Sequence, residues 1–395
     1  MAKGRAVIKL LVLAVTLVTM FAQGVPVNSA ETLRVGKGRQ FPAPSLAARA
    51  AGDGAIVEID ADIYEGDVAV WTQSNLTIRG AGGRPHLKAN GVHAQGKAIW
   101  VIKGSNVTIE NMEFSGARVP DRNGAGIRGE GVNLTIRKCY FHDNENGILI
   151  GIGPESAIVV DHSEFAANGN GDGYTHNIYV GNVRSFTLRG SYSHHARVGH
   201  NVKSRAPTNY ILYNRLMDEQ SGTSSYAVDL PNGGISYLIG NLIQKGPDAE
   251  NRIVVAYGAE GLRNPVNELY VINNTMVNDR PAGSTFLRVW GSPAPVKIIN
   301  NLFVGRGTLL QGPGELSHNL ALGEPRLVDR EHFDYRLTGR SPAIDVGTDP
   351  GAANGLALSP VAQYKHPAAE EPRKPIGRID VGAYEYQPPQ KTSER

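Results

Sequence analysis

The chain has 395 residues, with 40 lysines and arginines against 37 aspartates and glutamates, a formal charge of +3. That near balance excludes a globally basic nucleic-acid binder. Forty-seven glycines and turn residues throughout argue against long helices. The single cysteine, Cys139, excludes an intrachain disulfide, and its place in an apolar strand run reads as core packing.

The N-terminus carries Lys3, Arg5 and Lys9 ahead of an apolar stretch from Leu10 to Ala22, then small and polar residues. This is the layout of a secretory signal peptide over residues 1–30, cleaved after Gly24 or after Ala30. The apolar stretch is short for crossing a bilayer, and no later segment is apolar enough to span one. A secreted or periplasmic protein is expected. Loss of the three leader cations takes the formal charge of the mature chain to zero, so any basic patch must be local.

After the leader, a short helix is expected over Ser45–Ala51, stopped by Gly52 and placed to cap a stack of coils. Then one pattern recurs: NLTIRG (75–80), NVTIENMEF (106–114), NLTIRKCYF (133–141), AIVVDHSEF (157–165), SFTLRGSYS (185–193), NYILYNRLM (209–217), ISYLIGNLI (235–243), ELYVINNTM (268–276) and VKIINNLF (296–303). With Leu76, Val107, Leu134, Ile158, Phe186, Tyr210, Ser236, Leu269 and Val296 as equivalents, the spacings are 31, 27, 24, 28, 24, 26, 33 and 27 residues. A period in the twenties with apolar/polar alternation marks a β-solenoid, whose coils bury a core only by stacking. Asparagine suits the turns, because it tolerates the left-handed region and can hydrogen-bond along a stack. Asn75, Asn106, Asn133 and Asn273, which also match a glycosylation acceptor pattern, are read as such turns.

A second strand precedes each of these: AIWVI (98–102), GIRGE (126–130), GILIG (147–151), NIYVG (177–181), NVKSR (201–205), AVDLP (227–231), IVVAY (253–257) and FLRVW (286–290). Alternation predicts an inward column of Ile99, Ile127, Ile148, Ile178, Val202, Val228, Val254 and Leu287. The solenoid is expected over roughly 55–320, within a capped β-helix domain of residues 31–325. A C-terminal capping segment (326–386) and a disordered tail (387–395) complete the expected layout.

The capping helix, the NVTIENMEF-type coils and the closing SPAIDVG and DVGAYEY stretches resemble secreted proteins of the pectate-lyase-like, right-handed parallel β-helix superfamily. The resemblance covers nearly the whole mature chain. It implies an all-β, single-stranded right-handed parallel β-helix and a carbohydrate-active role. The fold hosts lyases, hydrolases, epimerases and adhesins, so activity has to come from a site.

The same alternation turns two columns outward. One is Trp100, Arg128, Leu149, Tyr179, Lys203, Asp229, Val255 and Arg288; the other is Ile102, Glu130, Gly151, Gly181, Arg205, Pro231, Tyr257 and Trp290. Tyr179, Lys203 and Asp229 then fall on successive coils, with Arg205 beside Lys203 on one strand. His176 and His200, 24 residues apart, stack at the entry to this face. Aromatic faces and arginine forks suit a charged polysaccharide. β-Elimination from a uronate needs a neutralised carboxylate, a base for the C5 proton and a proton for the departing oxygen. Lys203, Arg205, Tyr179 and His200 are the catalytic candidates. Lys203 would be the base, Arg205 would grip the carboxylate, and Tyr179 or His200 would give the proton. Arg128, His176, Asp229, Tyr257, Arg288 and Trp290 are the substrate-binding candidates. The Lys203/Arg205 pair resembles those of β-helix lyases.

Bland alternatives stand beside these roles. In these, Lys203 and Asp229 form only a cross-strand ion pair, the histidines satisfy turn backbone, and Tyr257 and Trp290 belong to a covered core. Hydrolysis is disfavoured, since Asp229 is the one aspartate in the columns and Glu130 lies coils away. A uronate C5-epimerase and a non-catalytic polysaccharide-binding surface protein remain the alternatives to a lyase. The groove on this face is expected to be basic, so no metal or cofactor is expected, calcium near Asp229 being possible but not indicated. The expected partner is an acidic polysaccharide, with neither nucleic acid nor membrane span, and the chain is expected to be a monomer.

Overall fold

The computed structural model describes residues 31–388. The expected leader over 1–30, and the expected tail from residue 389 onward, lie outside the described residues. Three parallel sheets of 12, 10 and 11 strands run the length of the molecule. One coil illustrates the rest: Val202–Ser204 lies in the 10-stranded sheet, Thr208–Leu212 in the 12-stranded and Arg215–Met217 in the 11-stranded. Each strand pairs in parallel with its counterpart one coil on, as Lys203 does with Asp229 and Asn209 with Ser236. The parallel stack begins at Thr32–Val35 and ends at Leu320–Leu322, so it starts some twenty residues earlier than expected. The single helix among the described residues is Pro44–Ala50, and its Ala47 and Ala48 are buried in the main core. No helix among the described residues is long and apolar enough to cross a membrane.

The register corrects the expected columns at two coils. Ile127 pairs with Trp100 rather than Ile99, and Val228 pairs with Val255 rather than Val254. The inward column is therefore Trp100, Ile127, Ile148, Ile178, Val202, Val228, Val255 and Leu287. The outward partners are Val101, Arg128, Leu149, Tyr179, Lys203, Asp229, Ala256 and Arg288. Alternation could not settle these coils because AIWVI is apolar at both parities and every residue in it is buried. Ile99 and Val254, one residue ahead of that column on the same strands, also belong to the main core. Tyr257, aligned with Leu230 and Val289, is fully buried, and its hydroxyl donates to the Gly234 carbonyl at 2.6 Å. It is a core residue and offers no outward face; Ile102 is likewise in the core. In the 12-stranded sheet Phe186 pairs with Asn209, not Tyr210. Asn209 goes inside because Ala206 O and the Ser204 and Ser236 hydroxyls satisfy its amide.

Asparagine ladders join the coils. Asn75, Asn106 and Asn133 have φ near +60° and hand one amide bond to the next, at 3.0 and 2.8 Å. A buried ladder runs through Asn214, Asn241, Asn274, Asn301 and Asn319. Asn241 shows its logic: Oδ1 accepts from the Asn214 backbone and side chain, and Nδ2 donates to Ile211 O and Asn274 Oδ1. The ladder thus meets the polar groups of these asparagine turns inside the stack. Beyond the last coil the chain folds back along the flank. Tyr364, Val381 and Ala383 pack with Tyr192, Met217 and Leu302, and Leu358 and Ala362 join the Tyr213, Tyr237 and Tyr270 cluster. Arg189 and Glu370 pair across this seam through two hydrogen bonds.

Candidate functional site

The outward face of the 10-stranded sheet forms the floor of a groove of about 1090 Å³. Arg128, Leu149, Tyr179, Gly181, Lys203 and Arg205 line it, as do side chains from three connections. Residues 116–124 bring Asp121 and Arg122, residues 167–177 bring Asp172, Tyr174 and His176, and residues 258–267 bring Glu260. Gly181 is required by close stacking, since a Cβ there would lie 2.6 Å from the Gly151 carbonyl oxygen. With Gly151 it keeps the floor open. Tyr174 is 85% exposed and Ile152 83% exposed, so the rim presents apolar surface to solvent. The expected basic groove is in fact mixed: Asp121, Asp172 and Glu260 stand among Arg122, Arg128, Lys203 and Arg205.

The centre is a charge network around GHNVKSRA (199–206). Lys203 Nζ lies 3.1 Å from Asp229 Oδ2 and 3.2 Å from Glu260 Oε1. Arg205 donates to both Glu260 oxygens at 2.7 and 2.9 Å, to Asn232 Oδ1 at 2.9 Å and, through Nε, to the Tyr179 hydroxyl at 3.0 Å. The two-point grip on Glu260 is the geometry arginine uses for any carboxylate. Those hydrogen bonds hold Glu260 down at about 2, against an opposing effect of partial burial. Asp229 behaves oppositely. It is 2% exposed, and burial pushes it up to about 6 in spite of the Lys203 ammonium beside it. Its Oδ1 has no hydrogen-bond partner among the described residues.

Behind the floor, aromatic rings stack coil on coil. His176 and His200 centroids are 4.6 Å apart, His200 and Tyr226 4.8 Å, and His176 and Tyr179 5.7 Å. Each histidine Nδ1 accepts a backbone N–H from the next coil: His176 from His200 and His200 from Tyr226. The bland reading of the histidines as turn partners thus holds for one nitrogen of each. Burial holds His176 down at about 3 and His200 well below its usual value, helped by the nearby Lys203. Both are neutral near pH 7. Neutral His200 then carries its proton on Nε2, 3.4 Å from Asp229 Oδ2.

The structure therefore gathers Tyr179, Lys203, Arg205, Asp229, His200 and His176 at one place. Arg128 lines the same groove, and its Nε, buried and 3.7 Å from Glu130, has no hydrogen-bond partner among the described residues. Arg288 and Trp290 stack on one another at 5.0 Å three coils from Lys203 and do not line the groove. Glu260 and Tyr174 escaped the sequence reading because they sit on connections, outside the strand pattern. The one trace of the Glu260 loop was the longest repeat spacing, 33 residues, between Ser236 and Leu269. Glu260 also supplies the second carboxylate whose absence had counted against hydrolysis.

A family model described as a right handed beta helix region matches residues 63–276. The crystal structure of pectate lyase Pel9A is similar with a TM-score of 0.55 at 12% identity, over 91% of this chain and 98% of that one; the likeness is one of fold. Pectin methylesterase from Aspergillus niger (TM-score 0.36, 11% identity, 74% and 86% covered) and Geobacillus virus E2 ORF18 (0.41, 13%, 73% and 60%) are more distant in fold. No curated protein matches the sequence.

Proposed function

The chain belongs to the right-handed β-helix family, and from that premise we propose that it is a secreted or periplasmic polysaccharide lyase that cleaves a uronate-containing polymer by β-elimination in this groove. The observation that carries the reading is Lys203 on the groove floor with Asp229 buried behind it at 3.1 Å and pushed up to about 6. Buried, with one oxygen unpaired, Asp229 is a carboxylate ready to take a proton.

The steps follow from the contacts. A uronate carboxylate takes the place of Glu260 in the Arg205 fork, which neutralises the charge that would otherwise oppose removal of the C5 proton. Release of Lys203 from Glu260 leaves it facing Asp229, to which it passes one proton. The neutral amine then removes the C5 proton. The electrons of the C5–H bond form the C4–C5 double bond as the C4–O bond breaks. Tyr179, whose hydroxyl oxygen accepts from Arg205 and so leaves its own proton free, protonates the departing oxygen. His200 does not reach the groove, and its Nε2–H steadies Asp229 instead. Arg128 offers a second carboxylate site and Tyr174 a sugar platform at the rim. Hydrolysis stays disfavoured on geometry: Asp229 is buried, and one lysine ammonium binds both carboxylates, so they do not flank an open cleft.

The test is incubation of the mature protein with uronate polymers. Unsaturated products absorbing near 235 nm support the lyase. An altered uronate ratio without cleavage would replace it with a C5-epimerase, which shares the proton abstraction. Retention of the polymer without chemistry would leave a binding protein.

A further inference from the structure

The 11-stranded sheet carries a second cluster that the groove does not use. The strands His86–Lys88, Glu113–Ser115 and Tyr140–His142 lie on successive coils. His86 Nδ1 is 3.4 Å from Glu113 Oε1, and His142 Nε2 is 3.1 Å from the same oxygen. One ligand atom from each residue lies within 4.8 Å of the others. All three side chains are partly exposed, at 20–24%.

The outer ring nitrogens decide what faces inward. His142 Nδ1 is 2.9 Å from Asp143 Oδ2, and Arg197 in turn holds Asp143. An ionised carboxylate only accepts, so Nδ1 carries a proton. His86 Nε2 is 2.6 Å from the Ser115 hydroxyl, which can accept its N–H. Both imidazoles, when neutral, then aim a lone pair at the Glu113 carboxylate. Three acceptors converging in this way repel unless a proton or a metal cation lies among them. Two imidazoles and a carboxylate are a donor set that zinc favours, and a carboxylate behind a ligating histidine is the usual outer support. The size also fits: ligands about 2.05 Å from a tetrahedral ion are separated by roughly 3.3 Å, close to the observed 3.1 and 3.4 Å.

We propose that His86, Glu113 and His142 bind a divalent transition-metal ion of the zinc type, with Asp143 and Ser115 orienting the two imidazoles. The ion ties three successive coils together on a face separate from the polysaccharide groove, and its fourth position is open to solvent.

Zinc chloride titrated calorimetrically into chelator-treated, untagged mature protein tests this. One equivalent should bind and raise the thermal midpoint. Glu113→Gln and His142→Ala should abolish both effects while keeping the β-rich circular dichroism spectrum. Asp143→Asn should weaken binding by roughly 10–100-fold, the usual scale for an outer-shell partner. Lys203→Ala should bind zinc as the wild type does, which separates this site from the groove. Absence of zinc binding, or binding that survives in both Glu113→Gln and His142→Ala, would overturn the site and leave a protonated His142 bridging to Glu113.

Discussion

Replacing Asp229 by asparagine removes one charge at almost constant shape, and the structure gives both the sign and the size of the effect. Asp229 sits at about 6 in the folded protein against an ordinary value of 3.8. The folded state therefore holds this proton more tightly than the unfolded chain. Its stabilising contribution is complete below about pH 3.8 and is lost as pH rises through about 6. A shift of that size corresponds to about 3 kcal/mol. Asparagine has nothing to titrate, so the stability difference between Asp229→Asn and wild type should move in favour of the variant by about 2–3 kcal/mol between pH 4 and pH 7. Urea unfolding of both proteins at the two pH values reads this out. Activity should move the other way. With Asp229 already protonated, Lys203 has no acceptor for its proton, so wild-type turnover should fall below about pH 6. Asp229→Asn should lose at least about a hundredfold at its best pH, the scale of a lost acid–base group. A pH-independent stability difference would refute the buried, raised carboxylate. Full activity in Asp229→Asn would refute its role as proton acceptor.

Two other substitutions probe different parts of the structure. Glu260→Gln empties the Arg205 fork of its resident carboxylate, so KM for a uronate polymer should fall; a raised KM in steady-state assays would mean that Glu260 contacts substrate. Asn241→Ala strands the buried partners of four hydrogen bonds and should cost about 3–5 kcal/mol in urea unfolding, whereas a loss under 1 kcal/mol would deny the ladder its structural part.

The repeat exposed most of the fold because a solenoid writes the same inward and outward pattern once per coil. Val202 inside and Lys203 outside followed directly from it, as did Tyr179, Lys203 and Asp229 on successive coils. It failed where chemistry did not alternate. AIWVI and IVVAY are apolar at both parities, which is why Trp100, Val255 and Tyr257 were placed outward although they lie in the core. Asn209 was passed over for Tyr210 because a polar residue can sit inside when its neighbours satisfy it. The site was legible only as far as the strands reach. Glu260, Tyr174 and Asp172 come from connections whose paths no periodicity describes, so a groove expected to be basic proved to be mixed. The His86, Glu113 and His142 cluster was invisible for a related reason. Its spacings of 27 and 29 residues match no metal motif, and only stacking of coils brings the residues together.

The most direct test of elimination at this groove compares wild type with Lys203→Ala on a uronate polymer, following absorbance near 235 nm. Lys203→Ala leaves Asp229 buried without its ammonium partner, so the thermal midpoint should fall at neutral pH, while circular dichroism at the assay temperature should keep the β-rich spectrum of the folded solenoid. Wild type should generate unsaturated ends, and Lys203→Ala should do so at least about a hundredfold more slowly. Equal rates from the two folded proteins would contradict the assignment and leave Lys203 and Arg205 as paired cations on a binding face.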